Sequence, residues 1–361
     1  MPAVSRCLIL PALLAAIGVA RAATPAPAGL DARLDALVTD EMRRQQIPAV
    51  TIAVLSADRL VYSRAFGSAD LENSVAATPE TLIRTASIAK PITAVAAMTL
   101  VESGKLQLDA PVQTYCAPFP TKQWPITTRQ LLAHTSGIRH YNPGEMENTR
   151  HYQWMSDGFA IFAADPLLFR PGTGYQYSTY GYTVVGCAIE GAAAVRFQDY
   201  VAQQVLARAG MTHTSVDDAF DIVPHRARGY QLMNGELKNA SLMDSSYKIP
   251  GGGYVTTAED LARFAQALLD GRLLKPATLA QMWTATPQSG KEGYGLGFTV
   301  RDGGKFVWHT GGQPGTTTEL FIIPDKHFAL AVLANRDGVQ QQDLVRALVA
   351  EMKLPFPAPL Q

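Results

Sequence analysis

The β-type runs of this 361-residue chain lie at its two ends, and the long stretch between them is helix and loop. Near the N-terminus, PAVTIAVLSADRLVYSRAFG gives two β-rich runs around Ala57-Asp58-Arg59, the pattern of a hairpin. Near the C-terminus, YGLGFTVRDGGKFVWHTGG, TTTELFIIP and FALAVLAN supply three more, joined at Asp302-Gly303-Gly304 and Pro324-Asp325-Lys326. The order helix, two strands, helical insert, three strands, helix predicts an α+β fold. One antiparallel five-stranded sheet is drawn from both ends of the chain and flanked by the helices LDARLDALVTDEMRRQQ and VQQQDLVRALVAEM. Chemistry is expected in the cleft between that sheet and the mostly helical insert.

The divisions this implies are an α/β portion at 30–86, a mostly helical domain at 87–250, and the rest of the α/β domain at 251–361. Ahead of them, residues 1–22 carry Arg6, an apolar stretch from Cys7 to Val19 and the small-x-small tripeptide Ala20-Arg21-Ala22, which read as a secretory leader. Residues 23–29 are a Pro/Ala linker. Export to a periplasmic or extracellular space is the expectation, with no stable membrane span. Lys plus Arg balance Asp plus Glu at 31 each, and charged residues make up only 17%. That balance supplies no basic footprint for nucleic acid. Cys116 and Cys187 could pair after export, but Cys187 sits in the apolar run YTVVGCAIEGAAA and reads equally as a buried free thiol. The reading here favours the thiol.

The insert opens on RTASIAKPITAVAAMTLVESGKL, where Ser87 and Lys90 stand three residues apart at the head of an apolar run. Residues at i and i+3 of a helix are neighbours, so the Lys90 amine can reach the Ser87 hydroxyl. A helix N-terminus also offers free backbone N–H groups where an oxyanion would form. The ordinary alternative makes Ser87 a helix cap, and Pro91 predicts a distorted first turn. A second S-x-x-K, Ser245 to Lys248, runs into Ile249-Pro250-Gly251-Gly252-Gly253, which is not expected to continue as a helix.

Two further stretches join the first. In PGTGYQYSTYGYTVVG, Tyr177 precedes a predicted helix, and a nearby Lys90 ammonium would favour its phenolate. In WHTGGQPG, the N–H of Gly312 is a candidate oxyanion donor alongside that of Ser87, and Gly311 and Gly312 let a substrate lie close.

SIAK, YSTYGY and HTGG in this order, with LLAHTSGI, PGTGYQYSTYGY, GGGYVTTAEDLARF and YGLGF between and around them, resemble the serine β-lactamase and penicillin-binding-protein superfamily. The tyrosine of the second motif is similar to the branch that holds class C β-lactamases, D,D-carboxypeptidases and related esterases and D-aminopeptidases. Within it the motifs look most like the mitochondrial β-lactamase-like serine proteases of animals and their bacterial relatives. The resemblance implies a β-lactamase/transpeptidase-like fold and a serine hydrolase that needs neither metal nor cofactor. Ser87 is then the nucleophile, with Lys90 and Tyr177 activating it, and which of the two takes the proton is open. His309, Thr310, Thr179 and Asn335 are the implied contacts to a small peptide or ester substrate.

Two departures bear on specificity. Thr179 stands where the second motif often has Asn, and His309 where β-lactamases usually have Lys. A histidine is only partly charged at neutral pH, so efficient β-lactamase activity is not expected. The function implied is a D,D-carboxypeptidase-like or β-lactamase-related hydrolase. A carboxylesterase of the same fold and a non-catalytic penicillin-binding or assembly module are the rivals. His134 in LLAHTSG reads as a buried histidine bonded to backbone. No H-x-x-x-H pair and no G-x-S-x-G elbow is present.

Overall fold

Alternate side chains of Ala49–Ser56 (β1) divide between two cores: Val50, Ile52 and Val54 face one, Ala53 and Leu55 the other. In the computed structural model, which describes residues 29–358, β1 is an inner strand of a seven-stranded antiparallel sheet. Arg59–Asp70 (β2) and Val75–Ala76 (β3) extend it on one side. Phe328–Ala334, Thr316–Ile323, Phe306–Gln313 and Thr299–Arg301 extend it on the other.

With these last four labelled β8, β7, β6 and β5, the order across the sheet is β3-β2-β1-β8-β7-β6-β5. The five strands read from sequence become seven because β3 is a two-residue edge strand and the run YGLGFTVRDGGKFVWHTGG holds both β5 and β6. Residues 1–28, which include the predicted leader and nearly all of the linker, lie outside the described residues.

The join between the chain's two ends is the β1–β8 ladder, which pairs Val50 with Ala334 through Ser56 with Phe328. The helices Leu30–Gln45 (α1) and Gln341–Glu351 (α5) cover one face, packing Leu34, Val38, Leu344 and Val345 onto Ile52 and Val332. Ala258–Leu269 (α4) covers the other face beside the helical insert. Its amphipathic stripe starts from a Thr257 side chain that accepts from the Asp260 N–H.

The insert is built around Ala89–Glu102 (α2), which is buried from Ala89 to Leu100 on every side. Such a helix carries no polar face because it has no solvent to meet. Beside it lies Thr179–Ala193 (α3), capped by the Ser178 hydroxyl accepting from the Gly181 N–H. The chain breaks from helix near Arg196: Ala194 turns left-handed and a new helix begins at Phe197. Small strands also occur in this half of the chain. Tyr254–Thr256 (β4) pairs with Ile83–Arg84 and Ser215–Val216, and Tyr230–Met233 pairs with Glu236–Asn239. Among the described residues no helix is long and apolar enough to cross a membrane.

The free-thiol expectation is overturned. Cys116 and Cys187 form a disulfide, with Cα atoms 5.3 Å apart across 71 residues of sequence. The apolar run around Cys187 is the buried side of α3, and Cys116 is fully buried against it, so burial and pairing coexist. Closing a loop of that size removes unfolded-state freedom worth about 4 kcal/mol. Replacing both cysteines with alanine should therefore lower the stability by about that amount. Wild type held in strong reductant should match the variant's denaturant midpoint, and a midpoint unchanged by either treatment would contradict the pairing.

Candidate active site

Ser87 lies on a 3₁₀ turn, Ala86–Ile88, that runs directly into α2, so the distorted first turn expected from Pro91 is what presents the hydroxyl. Pro91 itself falls in the first turn of α2, where a missing N–H leaves no intrahelical bond unmade. Ala86 has φ 45°, a left-handed conformation that a residue with a side chain adopts only under constraint. The constraint is visible. Thr85 donates its N–H to the Tyr254 carbonyl at 2.8 Å, and the hydroxyls of Thr318 and Thr316 donate to the carbonyls of Thr85 and Arg84 at 2.8 and 3.2 Å. The turn that carries Ser87 is thus strapped to both β4 and β7.

Strand β6 passes against the same turn. A side chain at Gly311 would bring its first carbon within 2.2 Å of the Thr318 hydroxyl, 2.6 Å of the Thr85 carbonyl and 3.0 Å of the Ser87 nitrogen. Only glycine permits that approach. Gly312, by contrast, faces open space, and it lines a cleft of about 30 Å³ together with Ser87, Thr179 and Gly251.

Lys90 is wholly buried. Its Nζ lies 2.9 Å from Ser87 Oγ, 3.0 Å from Thr179 Oγ1 and 2.8 Å from the Gly251 carbonyl. Among the described residues no carboxylate pairs with it. Burial, reinforced by the nearby Lys248 charge, pushes its pKa well below the usual 10.5. Tyr177 places its ring 4.8 Å from the same amine and its hydroxyl in a hydrogen bond with Ser87. The expectation that Lys90 favours the phenolate is reversed. Burial drives the Tyr177 pKa up, and only the Ser87 hydrogen bond opposes it.

The third motif is also uncharged. His309 is buried, with Nδ1 2.6 Å from the Thr310 carbonyl and Nε2 2.9 Å from the Tyr294 hydroxyl. The first contact requires Nδ1–H, so Nε2 accepts from Tyr294. Burial, and then the Lys90 charge, lower its pKa to about 3, so His309 is neutral rather than partly charged at pH 7. With Thr310, Tyr175, Gln176, Tyr177, Tyr294 and Thr299 it lines an open pocket of about 460 Å³.

Ser87, Lys90, Tyr177, Thr179, Gly312, His309 and Thr310 thus converge on one region. Thr179 is spent on positioning, since its hydroxyl meets Lys90 and its N–H donates to His140 Nδ1 at 3.2 Å. Asn335 is not brought there. Its amide donates to the Ser68 carbonyl and accepts from the Ala49 N–H, clamping β1 and β2 beside the end of β8. His134 is buried and accepts from the Ser178 N–H at 3.1 Å, the backbone-bonded histidine expected.

Sequence reasoning missed Lys248, Gln313 and His140, which line the small cleft. Lys248 was set aside because Pro-Gly-Gly-Gly should stop a helix. A short helix, Ile249–Gly252, does form, with Pro250 in its opening positions where proline is tolerated. Its carbonyls accept from the Thr93 hydroxyl at Pro250 and from Lys90 at Gly251. Ser245 does not act with Lys248, for its hydroxyl is buried without a partner.

The two glycines of β6 should respond differently to a methyl group. Gly311→Ala must push the strand off Ser87 and should slow labelling of Ser87 by a fluorophosphonate about 100-fold or more. Gly312→Ala has room and should keep the wild-type melting temperature. Equal behaviour of the two variants in both measurements would count against this packing.

Residues 34–351 match the family model described as Beta-lactamase. The human "Serine beta-lactamase-like protein LACTB, mitochondrial" is 29% identical over 379 residues, covering 77% of this chain and 69% of that protein. Of solved structures, the octameric penicillin-binding protein homologue from Pyrococcus abyssi aligns with a TM-score of 0.77 at 27% identity, over 90% of this chain and 77% of its own. SurE, solved with D-Leu, aligns with a TM-score of 0.73 at 26% identity, over 92% and 80%. The match runs through nearly all of the described residues and takes in the strapped serine, the buried lysine and the paired glycines of β6: this chain belongs to the beta-lactamase family.

Proposed function

We propose that the protein is an exported serine hydrolase that cleaves amide or ester bonds through an acyl-enzyme on Ser87. The observation that carries this reading is the 2.9 Å contact between the Lys90 amine and the Ser87 hydroxyl, made by a lysine with no acid beside it. A neutral amine has two N–H donors and one lone pair. Thr179 Oγ1 and the Gly251 carbonyl take the donors, and the lone pair is left facing Ser87 Oγ. Lys90 is therefore the proton acceptor, and Tyr177 stays a phenol.

In the forward step the Ser87 oxygen bonds to the substrate carbonyl carbon while its proton passes to Lys90. The N–H groups of Ser87 and Gly312 receive the oxyanion, each donor contributing roughly 10²- to 10³-fold. Collapse expels the amine or alkoxide, which takes a proton from the Tyr177 phenol, and Lys90 restores that proton. Water then attacks the acyl-enzyme by the same route in reverse. The aromatic pocket beside His309 and Thr310 would hold the substrate's less polar portion. Neutral His309 supplies no charge for a β-lactam carboxylate, which favours peptides, amides and esters over penicillins. A simple carboxylesterase is the second reading, supported by the three tyrosines in that pocket. The Cys116–Cys187 disulfide supports export, because such bonds persist in oxidising compartments.

Fluorophosphonate should label the wild type and fail on Ser87→Ala. An unlabelled wild type would instead support a binding module. Among a short-chain nitrophenyl ester, a D-Ala-D-Ala peptide and nitrocefin, nitrocefin should be turned over slowest, and fast nitrocefin hydrolysis would overturn the assignment. For the ester, kcat/KM should rise with pH on one limb lying well below 10.5, as Lys90 loses its proton. A limb near the ordinary lysine value would show that Lys90 is not the acceptor.

A further inference from the structure

The small cleft beside Ser87 contains more donors than the catalytic reading uses. Lys248 is 1% exposed, and among the described residues its ammonium donates one hydrogen bond, to Gln313 Oε1 at 3.1 Å. An ammonium has three donors. Its other neighbours are ring faces, Tyr141 at 5.6 Å and Tyr247 at 5.7 Å, which favour a cation but accept no ordinary hydrogen bond. Gln313 is 5% exposed, and its amide nitrogen is buried with no partner. Both residues line the 30 Å³ cleft with Ser87, Gly251, Gly252 and Gly312, where Gly312 leaves the wall bare.

Buried donors without acceptors are costly, and a buried cation without an anion more so. No acid among the described residues pairs with Lys248. Asp217 and Glu147 act on it only from a distance, while Arg84 opposes its charge and Lys90 is itself disfavoured by it. What the cleft lacks is an anionic acceptor.

We propose that Lys248 and Gln313 form a substrate subsite that takes a carboxylate group, supplying the positive charge that neutral His309 does not. This rests on the reading of Ser87 as the nucleophile, because the subsite is placed by the cleft it shares with that residue. Gln313 and His309 are four residues apart on one strand, about 13 Å at extended rise. The carboxylate at the end of β6 and the portion of the substrate in the aromatic pocket at its middle therefore lie four residues apart, with Gly312 and the scissile bond between them. The substrate class this selects is an elongated amide or ester bearing a free carboxylate. Carboxylate oxygens would accept from Lys248 Nζ and Gln313 Nε2 together.

The test compares mono-p-nitrophenyl glutarate, with a carboxylate on the acyl part, and p-nitrophenyl valerate, which lacks it. A second pair carries the carboxylate on the leaving group, as 3-carboxy-4-nitrophenyl butyrate against p-nitrophenyl butyrate. The wild type should prefer the carboxylate in one pair. Lys248→Met should reduce that kcat/KM preference roughly 10- to 100-fold, mainly through KM. Gln313→Glu, which sets an acid against the substrate's own charge, should also abolish it and guards against misfolding of the first variant. The wild-type preference should fade as pH rises past about 7, where Lys248 sheds its proton. No carboxylate preference in either pair, or a preference unchanged in both variants, overturns the subsite. Failure of the catalytic reading would look different, since neither ester of a pair would be turned over by Ser87.

Discussion

Everything at this site depends on an amine held out of water without a counter-ion. A lysine in that position would ordinarily be excluded from a folded core or matched with a carboxylate. Here the cost is met by geometry: one hydroxyl and one carbonyl accept its hydrogens, from α3 and from the turn at Ile249–Gly252, and the remaining direction is occupied by Ser87. Those acceptors lie 89 and 161 residues from Lys90 in sequence. The basicity of Lys90 is therefore a property of the assembled insert, and no part of the chain can set it alone.

The sheet contributes rigidity as well as the groups that β6 presents to the site. Because β1 pairs with β8, the chain's two ends form one body, and β6 and β7 can be aimed at a serine more than 200 residues earlier. The Thr318 to Thr85 hydrogen bond and the bare backbone at Gly311 fix the distance between strand and nucleophile. A methyl group is enough to disturb it. Strain at Ala86 is sustained by the same straps, which is why a left-handed alanine can persist directly before the reactive residue.

Periodicity made the sheet legible, including its derivation from both ends, because alternation and turn residues are local signals. Edge strands of two or three residues carry too little pattern to be read. The three motifs were legible as residues, and their charge states were not. Sequence gives Tyr177 and Lys90 as neighbours, but the sign of their mutual effect follows from burial, which drives both toward neutrality. The same holds for His309, whose partner Tyr294 lies 15 residues away in YGLGF, a stretch that does not by itself place the phenol against the imidazole. Lys248 is hidden in the sequence because proline and glycine ordinarily end regular structure, whereas here they form a four-residue helix packed into the site.

The neutral histidine and the second buried lysine have one electrostatic explanation. A lysine at position 309 would place a third ammonium near Lys90, already disfavoured by Lys248. In a medium that screens poorly, like charges brought near one another repel strongly. Three cations could not all remain charged, and the group needed as a base would not be the only one to lose its proton. With His309 neutral and tied to Tyr294, the cationic position moves along β6 to Lys248, beside Gln313. There it lowers the basicity of Lys90 without competing for Ser87. The fold thus sets one buried amine against Ser87 and the other beside Gln313, a division that a lysine in the third motif would blur.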